Sequence, residues 1–146
     1  MHIVKIAAIA VEDKPYPSLA AKLQEIERWL RHARTGGARL AVLPETINVY
    51  REHTPTRIHS GPLHLENWRE ECHPLIQLAA ELEIAVTIPV LYKAEDGHIY
   101  NAFFLIDEHG EIIGEYRKQF LTPLEVERGV TPGTGDRLIH WNGIRI

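Results

Sequence analysis

Two residues of this 146-residue chain stand where chemistry can be done: Glu45 and Lys118, 73 positions apart. Glu45 directly follows Leu40-Ala41-Val42-Leu43-Pro44, a short apolar run that reads as a buried strand. In open α/β sheets, sites assemble at the carboxyl ends of such strands. Pro44 stops the strand and fixes the backbone ahead of the carboxylate. A glutamate held there works as a general base, particularly if partial burial raises its pKa. The competing reading is a solvated loop glutamate. Lys118 ends a second strand, Glu111–Arg117. An ammonium there, beside a carboxylate, holds the base in place and stabilises an oxyanion. A surface lysine at a strand end is the competing reading.

The chain has one cysteine, so no internal disulfide framework exists. Cys72 lies in Glu70-Glu71-Cys72-His73, on the apolar stripe of a predicted helix. Two neighbouring carboxylates raise its pKa, whereas a reactive thiol needs exposure and an electropositive setting. It reads as a buried core thiol. His53, His59, His64 and His73 show no metal-ligand spacing and read as solvated or hydrogen-bonded, so no metal is expected.

The elements that must position these residues follow from periodicity and punctuation. Ile3 to Ala10 is apolar with β-branched residues and predicts a strand. Ser18 is placed to cap a helix in which Leu19, Leu23, Ile26, Leu30 and Ala33 recur at helical spacing. Gly36-Gly37 ends it by permitting positive φ. Leu40 to Leu43, apolar on both faces, suits a covered parallel sheet. The opening is thus a strand–helix–strand unit, expected to be right-handed. Residues 46 to 64 lack a period and predict a long loop. Leu65, Trp68, Cys72, Leu75, Ile76, Ala79 and Leu82 form a second helical stripe, which Pro74 should kink or split. Ile84 to Val90 predicts the third buried strand. Asp96-Gly97 and His109-Gly110 are turn signals between antiparallel strands at 92–94, 98–107 and 111–117. Residues 122 to 135 read as a loop, and Arg137–Trp141 with Gly143–Ile146 as a final hairpin. The fold class is α/β, and a chain of this length fits a single domain.

Composition excludes several function classes. With 45% hydrophobic and 25% charged residues, the chain is an ordinary globular protein. Its net charge of −4 gives a nucleic-acid partner no electrostatic support. No apolar run reaches the roughly 20 residues of a membrane helix. The N-terminus enters a strand pattern at once, without a signal-peptide layout, which makes the cytoplasm the expected compartment.

Taken jointly, the motifs resemble those of the carbon–nitrogen hydrolases, the nitrilase superfamily. Leu43-Pro44-Glu45 resembles the family's glutamate motif. Gly114-Glu115-Tyr116-Arg117-Lys118, followed by Phe120-Leu121, resembles its lysine motif. Tyr100-Asn101, Gly110 to Gly114, Leu121-Thr122-Pro123 and Thr131-Pro132-Gly133 follow in the family's order, so the similarity runs from Lys5 to Ile146. The resemblance implies that 1–146 is a single partial domain, half of an α-β-β-α sandwich with one mixed sheet and two helices on one face, and a Glu–Lys–Cys mechanism without cofactor, acting on a small-molecule amide or nitrile. Glu45 and Lys118 are the implied catalytic pair. A second, supporting glutamate is implied after the lysine, with Glu125 the nearest match and Glu127 the reserve. The family's cysteine follows a strand of the Asn142–Ile146 kind, and the sequence ends before it. Three accounts follow: an N-terminal piece of a hydrolase, one subunit of a split hydrolase, or a non-catalytic binding module. The first is favoured, because a module made to stand alone should end in a polar loop. A bare apolar sheet face, with Val42, Val86, Ile88, Phe103 or Phe104, and Leu105 or Ile106, is expected to drive self-association.

Overall fold

A computed structural model describes residues 3–12, 14–49, 65, 67–135 and 138–146. Five strands form one mixed sheet in sequential order: β1 (Ile6–Ala8), β2 (Leu40–Val42), β3 (Ala85–Lys93), β4 (Ile99–Ile106) and β5 (Ile112–Arg117). β1, β2 and β3 are parallel, whereas β3, β4 and β5 are antiparallel. The mixed α/β class expected from the sequence is the one observed. Most of the predicted loop at 46–64 lies outside the described residues, as do His53, His59 and His64.

Helix α1 (Leu19–Thr35) starts where Ser18 accepts a hydrogen bond from the Ala21 N–H, and Gly37 beyond its end has φ of 83°. The second helical stripe is split at Cys72 into α2 (Trp68–Glu71) and α3 (His73–Glu81). Pro74 sits in the first turn of α3, where its missing N–H costs nothing. Leu23, Ile26 and Leu30 of α1 and Leu75, Leu78 and Ala79 of α3 pack with Ala41, Val86, Ile88, Val90, Phe104 and Ile106 in one core. Both helices therefore cover the same face of the sheet. Trp68 stacks on Phe104, with ring centroids 4.0 Å apart.

Strand register corrects the expected apolar face. Ala41 pairs with Val86, and Ile88 with Phe104, so Val86, Ile88, Phe104 and Ile106 lie under the helices and are buried. Val42, Phe103 and Leu105 belong to the opposite face, with Leu40, Ala85, Thr87 and Asn101. That second face is partly covered. A terminal hairpin, β6 (His140–Trp141) and β7 (Ile144–Arg145), packs Ile139 and Trp141 against Leu40, Ala85 and Leu105. Gly114 is needed beneath it, since a Cβ there would lie 2.6 Å from Ile139. Further corrections are smaller. The first strand is shorter than Ile3–Ala10, and residues 92–93 continue β3. The stretch after Thr122 contains a helix, α4 (Pro123–Glu127), where the sequence was read as loop.

Glu108 latches the hairpin to the sheet. Trp141 Nε1 donates to its Oε2 at 2.8 Å and Asn142 Nδ2 to its Oε1 at 2.9 Å. Burial by itself raises the Glu108 pKa, but these bonds and a backbone N–H outweigh it and hold the carboxyl at about 2. A depressed carboxyl stabilises the fold above its ordinary 4.5, and that contribution is lost as pH falls through about 2. The Trp141 indole N–H resonance should therefore report loosening of the hairpin between these values. In Glu108→Ala it should already be shifted and exchange-broadened at neutral pH. An unchanged resonance in the variant would remove Glu108 as the latch.

Candidate active site

The turn carrying Glu45 is held by the strand it leaves and the strand beside it. The Leu43 N–H donates to Thr87 Oγ1 at 3.1 Å. Past the turn, where Thr46 takes φ of 50°, the Ile47 N–H donates to the Pro89 carbonyl at 2.8 Å. The Asn48 carboxamide then bonds both backbone groups of Leu91, donating at 2.8 Å and accepting at 3.0 Å. Lys22 reaches over from α1 to the Val49 carbonyl at 2.6 Å. Pro89 is tolerated inside β3 because its nitrogen faces this departure point of the chain, where no ladder bond is lost.

Lys118 is fixed from two sides at the end of β5. Its N–H donates to the Asn101 carbonyl at 2.8 Å, and its carbonyl accepts from the Gly133 N–H at 2.9 Å. Residue 133 must be glycine for this approach, because a Cβ would stand 2.3 Å from the Arg117 carbonyl oxygen. Glu125 is presented by α4, whose start is a reciprocal cap. The Thr122 hydroxyl accepts from the Glu125 N–H, and Glu125 Oε2 accepts from the Thr122 N–H at 2.7 Å and its hydroxyl at 2.9 Å.

The side chains meet on the sheet face opposite the helices. Lys118 Nζ donates to Glu45 Oε1 at 2.8 Å and to Glu125 Oε1 at 3.0 Å. Asn101 Nδ2 donates to the same two oxygens, at 2.6 and 2.7 Å. Four heavy atoms thus close a ring of two donors and two acceptors. The glutamates differ in what remains open. Both oxygens of Glu125 are bonded, and its side chain is 17% exposed. The side chain of Glu45 is 58% exposed, and among the described residues its bonds fall on Oε1 alone.

Electrostatics follow the geometry. The Lys118 hydrogen bond is the main influence on Glu45 and holds its carboxyl below the usual range, outweighing burial. Lys118 is raised in return, chiefly by Glu45. For Glu125, burial is the largest influence and acts upward, but the bonds from Thr122, Asn101 and Lys118 together bring it to about 2. An array of this kind keeps both carboxylates ionised around one ammonium and leaves one carboxylate oxygen open to a reactant.

The three residues singled out in the sequence are thus brought together. Glu127, the reserve for Glu125, is exposed. Asn101 was quoted only within a motif and was missed as a member of the site. Its signal was a lone carboxamide within the otherwise hydrophobic run Ile99 to Ile106, since a buried amide must find partners. Cys72 lies apart, fully buried in the helix-side core, and burial pushes its thiol up to about 12. Among the described residues, no three His, Cys, Asp or Glu side chains gather as metal ligands would.

Comparison with known proteins bears on the fold and the family. Several solved structures share the fold. The NitN amidase from Nesterenkonia sp. AN1 matches with a TM-score of 0.77 at 22% identity, over 98% of this chain and 55% of that one. A carbon–nitrogen hydrolase from Helicobacter pylori G27 matches with a TM-score of 0.75 at 19% identity, over 97% and 49%. A cysteine-to-alanine variant of the Nesterenkonia amidase in complex with butyramide matches with a TM-score of 0.76 at 22% identity, over 97% and 53%. The chain spans about half the length of these structures. No curated protein matches. The family model for carbon–nitrogen hydrolase matches residues 5–141, and the chain belongs to that family.

Proposed function

We propose that Glu45 and Lys118 are the acid–base and electrostatic members of a cysteine-dependent site that hydrolyses a non-peptide C–N bond in a small amide or nitrile. The observation that carries this reading is the 2.8 Å ion pair between two residues 73 positions apart, one directly after β5 and the other in the turn that leaves β2. An open Glu45 oxygen beside it supports a role in proton transfer. The nucleophile would come from polypeptide outside these 146 residues. Cys72 is unsuited, being buried with its thiol pushed up to about 12. The thiol would give its proton to Glu45 and attack the amide carbon. Lys118 would stabilise the resulting oxyanion. Glu45 would return the proton to the leaving amine as the C–N bond breaks. Water, deprotonated by the same carboxylate, would then cleave the thioester to acid and free thiol. Glu125 would stay ionised and hold Lys118. The butyramide bound to the solved Nesterenkonia amidase favours an aliphatic amide as the first substrate to try.

The isolated chain should release no ammonia from butyramide, because losing one member of a cooperative catalytic set removes most of the rate. Ammonia release that persists through purification and vanishes in Cys72→Ala would overturn this. Joined to the cysteine-bearing second half of a family amidase, the chain should hydrolyse the amide. Glu45→Gln or Lys118→Met should then lower the rate by on the order of a thousandfold. Full activity in either variant would remove the pair from catalysis.

The same reading gives the open sheet face a packing partner. Ile6 is 56% and Val42 39% exposed there, beside a partly buried Phe103. We expect the isolated chain to self-associate through this face in sedimentation experiments, and Val42→Lys to shift it toward monomer. A compact monomer at high concentration would argue against an interface on this face.

A further inference from the structure

The closed ring around Lys118 contains one member without a charge, and its position is the informative one. Asn101 is 6% exposed, on β4. Its carboxamide nitrogen has two hydrogens and two carboxylate acceptors, at 2.6 and 2.7 Å, both in the range of charge-assisted bonds. The opposite orientation of the amide would aim Oδ1 at two anions, so the orientation is dictated by its surroundings. Its carbonyl also accepts the Lys118 N–H. One residue therefore registers the ammonium through the backbone and both carboxylates through the side chain. The charged groups facing it are Glu45 from the turn after β2, Lys118 from the end of β5 and Glu125 from α4.

These groups carry two negative charges and one positive. Two carboxylates in one site repel, which favours keeping a proton on one of them, while the ammonium opposes this. A neutral double donor adds to that opposition. It also occupies Oε1 of each glutamate. Glu125 has its other oxygen filled by Thr122, so among the described residues Glu45 Oε2 is the acceptor left open.

We propose that Asn101 is a positioning residue: by bonding Oε1 of both glutamates it keeps the pair fully ionised and directs an incoming proton to Oε2 of Glu45. The inference rests on the catalytic reading above for its purpose, and its test needs no substrate. Titrate the intact chain by NMR with ¹³C-labelled glutamate side chains and ¹⁵N-labelled carboxamides. The two Asn101 Nδ2 hydrogens should be inequivalent and protected from exchange, one following the titration of Glu45 and the other that of Glu125. In Asn101→Leu, similar in volume and lacking the donor, Glu45 should titrate at least about one unit higher, with Glu125 no longer independent of it. If that variant does not fold, the wild-type carboxamide titration still decides the question. Nδ2 hydrogens that follow neither glutamate would overturn the proposal, as would an unshifted Glu45 in folded Asn101→Leu. Absence of amide hydrolysis in the reconstituted enzyme would instead count against the catalytic reading, because the titration is read without turnover.

Discussion

The site on the open face depends on one ammonium shared by two carboxylates. Lys118 reaches Glu45 and Glu125 at 2.8 and 3.0 Å, and no two of these residues share an element. A lysine so placed must have its backbone fixed, because its long side chain otherwise loses considerable rotamer entropy on being held. The fixing comes from the Asn101 carbonyl on one side and the Gly133 N–H on the other. Glu45 is fixed separately, by a turn anchored to Thr87, Pro89 and Leu91 on β3. The site is therefore an agreement between two halves of one sheet.

The switch from parallel to antiparallel pairing at β3 makes that agreement possible. β2 stops after pairing with Thr87, while β3 continues to Lys93. The unpaired length of β3 receives the Glu45 turn on one edge and β4 on the other. Asn101 on β4 and the turn on β2's side thus approach each other across a single strand. Helices α1 and α3 take no part in this face. Their contribution is the core beneath, where Ile26, Leu30, Ile84 and Ile88 are wholly buried, each worth roughly 1.5–3 kcal/mol of burial.

Much of this was legible in the residues. Ser18 and the spacing of Leu23, Ile26 and Leu30 specify α1, and Pro74 marks where the second helical stripe divides. Glu45 and Lys118 stood out because each comes at the carboxyl end of a predicted strand. The parity of β3 and β4 was not legible, because both strands are apolar on both faces and alternation carries little signal. Only Thr87 and Asn101 break the run, and both turn out to mark the open side. α4 was missed although Thr122-Pro123-Leu124-Glu125 spells a capping box with proline at the first helical position. Its helix is too short to show a period. The direction of the Glu45 pKa was also beyond a local reading, since it is set by a lysine 73 residues away.

The reciprocal cap of α4 has a further consequence. Oε2 of Glu125 completes the first turn of the helix while Oε1 bonds Lys118 and Asn101. Helix nucleation and charge neutralisation are thus drawn from a single carboxylate and are thermodynamically linked. By reciprocity, the free energy by which the ordered turn favours the ionised cluster equals that by which the ionised cluster favours the turn. A helix of five residues cannot persist by propensity alone. Its order is therefore a local gauge of the charge held several ångströms away, and a change at Thr122, remote from any reacting atom, reaches the base through Glu125 and the lysine they share.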